Sequence, residues 1–203
     1  MTLYTFPFSC SFAVRLVLAR QRQPFTTVDV ERGPARQIGH PGLGALNGKR
    51  RVPTLVLDDG EVLTEMVGVL LFLDERTTPR SAAERRRLVE WLSYLATELH
   101  QAVLGPMFDR ASPEEARTDA TERLLPPILA HLDRTLEGRT ALLGPDRPST
   151  ADAYLYWALV LLDFRQRPVG EHLRAFRSAM ESDPTVAALL AEDVGRLRAR
   201  PSA

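Results

Sequence analysis

Apolar and polar positions along the first 75 residues alternate between strand-like and helical patterns. Leu3 to Phe6 is a short run of β-forming residues. From Ser11 to Arg22 the apolar positions Phe12, Leu16 and Ala19, widened by Val14, Val17 and Leu18, follow helical spacing and leave little polar face. Such a helix is expected to pack on a sheet. Pro24 ends it, and Thr26 to Val30, rich in Thr and Val, predicts a second strand. Gly33 to Gly48 is crowded with Gly and Pro and reads as a loop with room for one helical turn. Thr54 to Leu57, the turn Asp58-Asp59-Gly60 and Glu61 to Leu63 form a hairpin signature. Thr64 then caps a helix from Glu65 to about Glu75. The predicted order is β-α-β-loop-β-β-α.

After Arg76 to Arg80, a linker containing Pro79, every signal is helical. Ser81 and Glu84 form a capping-box pattern, and Leu88, Trp91, Leu92, Leu95, Leu99 and Val103 continue at helical spacing. Ser112-Pro113 opens a second helix, which Pro126-Pro127 must kink or interrupt. Ser149 and Asp152 open a third, to about Arg165. Helices at Glu171 to Glu181 and Thr185 to Arg200 complete the chain. The fold class is therefore α/β plus all-α, with an N-terminal domain over residues 1–78 and an all-helical domain over 81–203.

Charge narrows the partners. Twenty-six basic residues balance 26 acidic ones, so no electrostatic footprint for nucleic acid or anionic lipid is expected. Lys49 is the sole lysine. No apolar run approaches the ~18 residues of a membrane span, and the first residues lack a signal-peptide pattern. The single cysteine excludes an intramolecular disulfide and suits a reducing cytoplasm. The histidines show no paired spacing with each other or with carboxylates, so no metal is expected, and no phosphate loop or nucleophile elbow is present.

Four places carry candidate chemistry. Cys10 lies between the first strand and the first helix, where unpaired helix N–H groups lower a thiol pKa. Ser9 and Ser11 flank it as donors to a sulfur anion, although a small buried cysteine fits the same position. Val52-Pro53 opens the third strand where a proline fits poorly, and a cis bond would free the Val52 backbone for a ligand. Thr64-Glu65 at a helix start is either a plain cap or a holder for a ligand's ammonium and carboxylate. His100 lies beside the apolar stripe of the long helix, as a structural histidine or an anion donor.

Taken in order, these segments resemble the bacterial beta class of glutathione transferases. The matching stretches are Leu3-Tyr4 to Pro7 with Cys10-Ser11, Leu46-Asn47 through Val52-Pro53, and Leu57 to Glu65. Two more are Trp91 to His100 with Pro106 and Phe108, and Ala151 to Leu155. The resemblance implies a thioredoxin-like domain followed by a helical bundle, a homodimer, and glutathione or another low-molecular-weight thiol as cofactor. It implies a cis Pro53, with Val52, Glu65, Met66, Gln101 and Arg36 around the thiol ligand. It further implies Cys10, Ser11 and His100 at the reacting sulfur, with Cys10 able to form a mixed disulfide. Phe8, Leu104, Met107, Phe108 and Phe164 would line the site of an apolar electrophile. Ser149 and Asp152 would be a structural cap. The chain departs from the family pattern at Thr5, Val14-Arg15, Met66, Ser93 and Gln101. The activity implied is thiol transfer. An isomerase or lyase of specialised metabolism and a non-catalytic binding protein are the alternatives on the same fold.

Overall fold

The computed structural model describes residues 1–32 and 38–199. It divides into two compact units, Met1–Thr77 together with the stretch from Ser182 onward, and Thr78–Glu181.

The first unit opens with β1 (Thr2–Thr5), α1 (Ser11–Arg20) and β2 (Thr26–Asp29). Two short strands follow, β3 (Glu31–Arg32) and β4 (Ile38–Gly39), paired antiparallel. A single helical turn, α2 (Leu43–Leu46), precedes β5 (Thr54–Val56), β6 (Val62–Thr64) and α3 (Met66–Thr77). The sheet order is β2-β1-β5-β6. β1 runs parallel to β2, with Leu3 opposite Thr27, and antiparallel to β5, with Leu3 opposite Leu55. A parallel pair needs a crossover, and α1 supplies it. This is the mixed β/α arrangement expected from the sequence, followed by helices alone.

α1 is buried from Ser11 to Leu18 because β1, α3 and α10 (Pro184–Arg198) all pack on it. The expected helical domain over 81–203 is thereby corrected. The chain does pass into a helical unit near Thr78, but α10 returns to the first unit. It buries Val186, Leu189 and Asp193, positions three and four residues apart that form one face of the helix.

In the second unit, α4 (Ala82–Tyr94) carries the expected capping box, with Glu84 N–H donating to Ser81 Oγ and Ser81 N–H to Glu84 Oε2. The helix then widens into π-helical turns over Leu95–Leu104, where the Gly105 N–H reaches back five residues to the His100 carbonyl. α5 (Gly105–Phe108) and α6 (Glu114–Thr118) follow, and a second π-helical stretch, Asp119–Leu124, leads into α7 (Leu125–Thr135). Both widened segments run into proline, Pro106 or Pro126-Pro127. Proline has no N–H for the ladder, and a widened turn re-registers the bonds around it. The expected interruption at Pro126-Pro127 is thus a change of helical pitch rather than a break. α8 (Thr150–Phe164) buries every residue from Thr150 to Leu162 and packs on α4, the first π-helical segment and α9 (Glu171–Glu181). No helix among the described residues is long and apolar enough to cross a membrane.

Candidate functional site

Cys10 is the N-cap residue of α1 and 9% exposed. Its Sγ donates to the Val52 carbonyl at 3.4 Å. The Val52–Pro53 bond is cis, as the resemblance implied. The low thiol pKa expected from the helix start is not found, because burial pushes it from 9.0 up to about 12. The backbone N–H groups of Cys10 and Ser11 do pull it down, as a helix start should, while the Glu65 carboxylate pushes it further up. Loss of water around the sulfur outweighs the helix start.

The serines are committed elsewhere. Ser9 Oγ donates to the Phe6 carbonyl at 2.8 Å. Its hydrogen being used, the 2.6 Å contact between Ser9 and Ser11 must carry the Ser11 hydrogen. Thr5 Oγ1 therefore donates to Ser11 at 2.7 Å, and the Phe6 N–H donates to the same oxygen at 3.4 Å. Contrary to expectation, Ser9 and Ser11 do not donate to the sulfur. They brace the loop that carries Phe8, whose φ of 56° lies in the left-handed region.

That loop has a second anchor, and it comes from α10. The Phe8 N–H donates to Asp193 Oδ2 at 2.9 Å. Asp193 Oδ1 accepts from Arg15 Nη1 and, at 2.8 Å, from Arg196 Nη1. Arg15 also meets Glu192 at 2.7 Å, and Arg196 reaches Asp29. Arg15 and Asp193 are both buried. Sequence reasoning missed this network. Its signal was an acidic residue, Asp193, at helical spacing from Val186 and Leu189 on a buried face.

Glu65 adopts φ 71° at the start of α3, and its carbonyl accepts the Val69 N–H. Its Oε1 accepts from Lys49 Nζ at 2.6 Å, and Thr64 Oγ1 accepts from the same ammonium at 2.7 Å. Met66, first residue of α3, is buried. Phe8 is half-buried. Arg36 lies outside the described residues.

The remaining candidates belong to the second unit. His100 stands in the π-helical segment with Nδ1 2.7 Å from the buried Tyr154 hydroxyl and its ring edge-on to Trp157 at 4.7 Å. Gln101 is exposed beside it. Leu104 and Met107 are buried, the Arg165 guanidinium covers the Phe108 ring at 4.6 Å, and Phe164 is 53% exposed.

Against known proteins, residues 8–76 match the glutathione S-transferase N-terminal domain, and residues 97–193 match the C-terminal domain. The chain belongs to the glutathione S-transferase family. The glutathione S-transferase GstA of Escherichia coli O157:H7 is 32% identical over 197 residues, spanning 92% of this chain and 95% of that one. A sphingomonad glutathione S-transferase solved in complex with glutathione has a TM-score of 0.83 and 31% identity, covering 95% of this chain and 98% of that one. The beta-class transferase of Sphingomonas chungbukensis has a TM-score of 0.82 and 29% identity, with the same coverage. In this transferase the sequence matches begin at Phe8, so the loop that ends in Cys10 is part of the family domain.

Proposed function

We propose that this transferase binds reduced glutathione on its first unit and adds the glutathione sulfur to an apolar electrophile. The reading is carried by the convergence of the Cys10 thiol on the Val52 carbonyl, beside Pro53, with the Glu65 carboxylate near enough to act on the thiol. The residues fit the ligand: Glu65 already accepts a primary ammonium at 2.6 Å, the group that the γ-glutamyl end carries. Bound glutathione supplies the nucleophilic sulfur.

The chain's own residues do the rest. A Cys10 pushed up to about 12 is a neutral S–H near pH 7, and so a donor. In the ligand-free chain that hydrogen goes to Val52 O. Beside a bound thiolate it stabilises the anion by a charge-assisted hydrogen bond, which favours deprotonation of the ligand. Cys10 thus acts as donor to the reacting sulfur rather than as the nucleophile. Val52 offers its backbone to the cysteinyl peptide, and Glu65 holds the ammonium. Ser11 acts through the loop it braces. Of the second unit, His100 and the apolar side chains Leu104, Met107, Phe108 and Phe164 are candidates by the family resemblance alone. The transferase works as a homodimer in the cytoplasm, where its free cysteine stays reduced, in detoxification or specialised metabolism.

Calorimetric titration with reduced glutathione tests this, alongside Cys10→Ala and a conjugation assay with chlorodinitrobenzene. Binding between about 1 µM and about 5 mM, weakened or altered in Cys10→Ala, is expected. No heat of binding up to about 10 mM would exclude glutathione. Light scattering at twice the chain mass tests the dimer.

A further inference from the structure

The loop that presents Cys10 is held from the far end of the chain. Pro7 fixes its own φ through its ring. Ser9 is tied back to the Phe6 carbonyl by its N–H at 3.0 Å and by its hydroxyl at 2.8 Å. Phe8, between them, has φ 56°, a left-handed backbone that a non-glycine residue keeps only where its surroundings impose it. Its N–H donates to Asp193 Oδ2 at 2.9 Å, across 185 positions of sequence. The direction in which the chain enters α1, and with it the place of Cys10 Sγ, therefore depends on an acceptor that α10 supplies.

That acceptor is itself held in place. Asp193 Oδ1 accepts from Arg15 Nη1 and Arg196 Nη1, and Arg196 Nε is tied in turn to Asp29 Oδ2 at 3.2 Å. The second oxygen is thereby turned to Phe8. Arg15 and Asp193 are 2% and 1% exposed. Two charges buried together gain little stability over two apolar side chains that fill the same space. Burial indeed pushes the Asp193 carboxyl up by more than the Phe8 N–H and Arg15 pull it down. What an apolar pair could not supply is an aimed acceptor for the Phe8 N–H.

We propose that Asp193 is a positioning residue for the transfer: by accepting from the Phe8 N–H it aims the Cys10 S–H at the glutathione sulfur. This rests on the glutathione reading above, in which Cys10 donates to the bound thiolate. Arg15 and Arg196 orient the carboxylate and balance its charge. Asp193 acts only through the loop. Without its acceptor the Phe8 backbone relaxes out of the left-handed region, and the S–H loses its aim. The bound thiol then becomes a weaker acid, because a hydrogen bond to the anion favours the anion.

The test separates placement from stability, on the full chain with reduced glutathione. Thiolate absorbance in the ultraviolet, titrated against pH, reads the acidity of the bound thiol, and thermal unfolding reads stability. Arg15→Met with Asp193→Leu removes the Phe8 acceptor together with the buried charge pair. Its thiolate midpoint should rise by about one pH unit, the worth of one charge-assisted hydrogen bond, as it should in Cys10→Ala. Turnover with chlorodinitrobenzene below both midpoints should fall about tenfold, with KM for glutathione unchanged. On the Cys10→Ala background the same pair of substitutions should shift the midpoint no further, since Asp193 acts through Cys10. Arg15→Met alone keeps the Phe8 acceptor, and should lose stability while keeping the wild-type midpoint. A structural role predicts a midpoint that follows stability across these variants. A wild-type midpoint in the double variant, or a further shift on the Cys10→Ala background, overturns this inference alone. So does a raised midpoint in Arg15→Met, which decides the matter if the double variant does not fold. Wild type binding no glutathione, or Cys10→Ala keeping the wild-type midpoint, overturns the reading of Cys10 and this inference with it.

Discussion

Asp193→Ala is the substitution whose cost the structure defines best. Asp193 is 1% exposed, and its carboxylate serves Arg15, Arg196 and the Phe8 N–H together. Its removal leaves Arg15, 2% exposed, with only the half-exposed Glu192, and Arg15 Nε already has no partner among the described residues. An uncompensated buried charge costs about 3–5 kcal/mol, and Glu192 keeps the figure near ~3. The orphaned Phe8 N–H adds about 1 kcal/mol. A total near 4 kcal/mol should lower the midpoint of thermal unfolding by roughly 8–16 °C for a chain of this size. Circular dichroism on wild type and variant reads it. Burial pushes the Asp193 carboxyl up by more than the Phe8 N–H and Arg15 pull it down, so the charge is not fully repaid by its partners. Arg15→Met with Asp193→Leu should therefore recover most of the loss. A drop under about 2 °C in Asp193→Ala, or a double variant as unstable as the single effects added together, would refute the reasoning.

Other outcomes follow from single contacts. Iodoacetamide should alkylate Cys10 of the ligand-free protein about tenfold faster per pH unit from roughly pH 7 to 9, since a thiol near 12 is still titrating; a plateau below about pH 8 would contradict that. Asp152→Ala should cost about 2–3 kcal/mol in urea unfolding, because its carboxylate accepts from Ser149 N–H at 2.7 Å and Leu142 N–H at 2.8 Å. Gly170→Ala would set a Cβ 2.2 Å from the Asp133 carboxyl, which holds the Leu173 N–H at the start of α9. Its melting midpoint should fall by roughly 2–6 °C, corresponding to about 1–2 kcal/mol of overpacking.

The sequence by itself determined the elements, because apolar spacing, caps and prolines act within a few residues of each other. Ser81 with Glu84, Asp58-Asp59-Gly60 and Pro24 each marked a boundary that the backbone respects. It also placed Cys10 at a helix start and Val52-Pro53 and Glu65 at element ends, since those positions follow from the elements. Only the tertiary structure decided what these residues are. A helix start lowers a thiol pKa through neighbouring N–H groups, but burial raises it through everything that displaces water, and most of that is distant in sequence. The partners of Ser11 and Lys49 depend on how loops close, which spacing does not encode. α10 reads as one more helix of the helical half, yet it joins the first unit. Its apolar stripe says that it packs; the match of Asp193 to Arg15, 178 residues apart, says where.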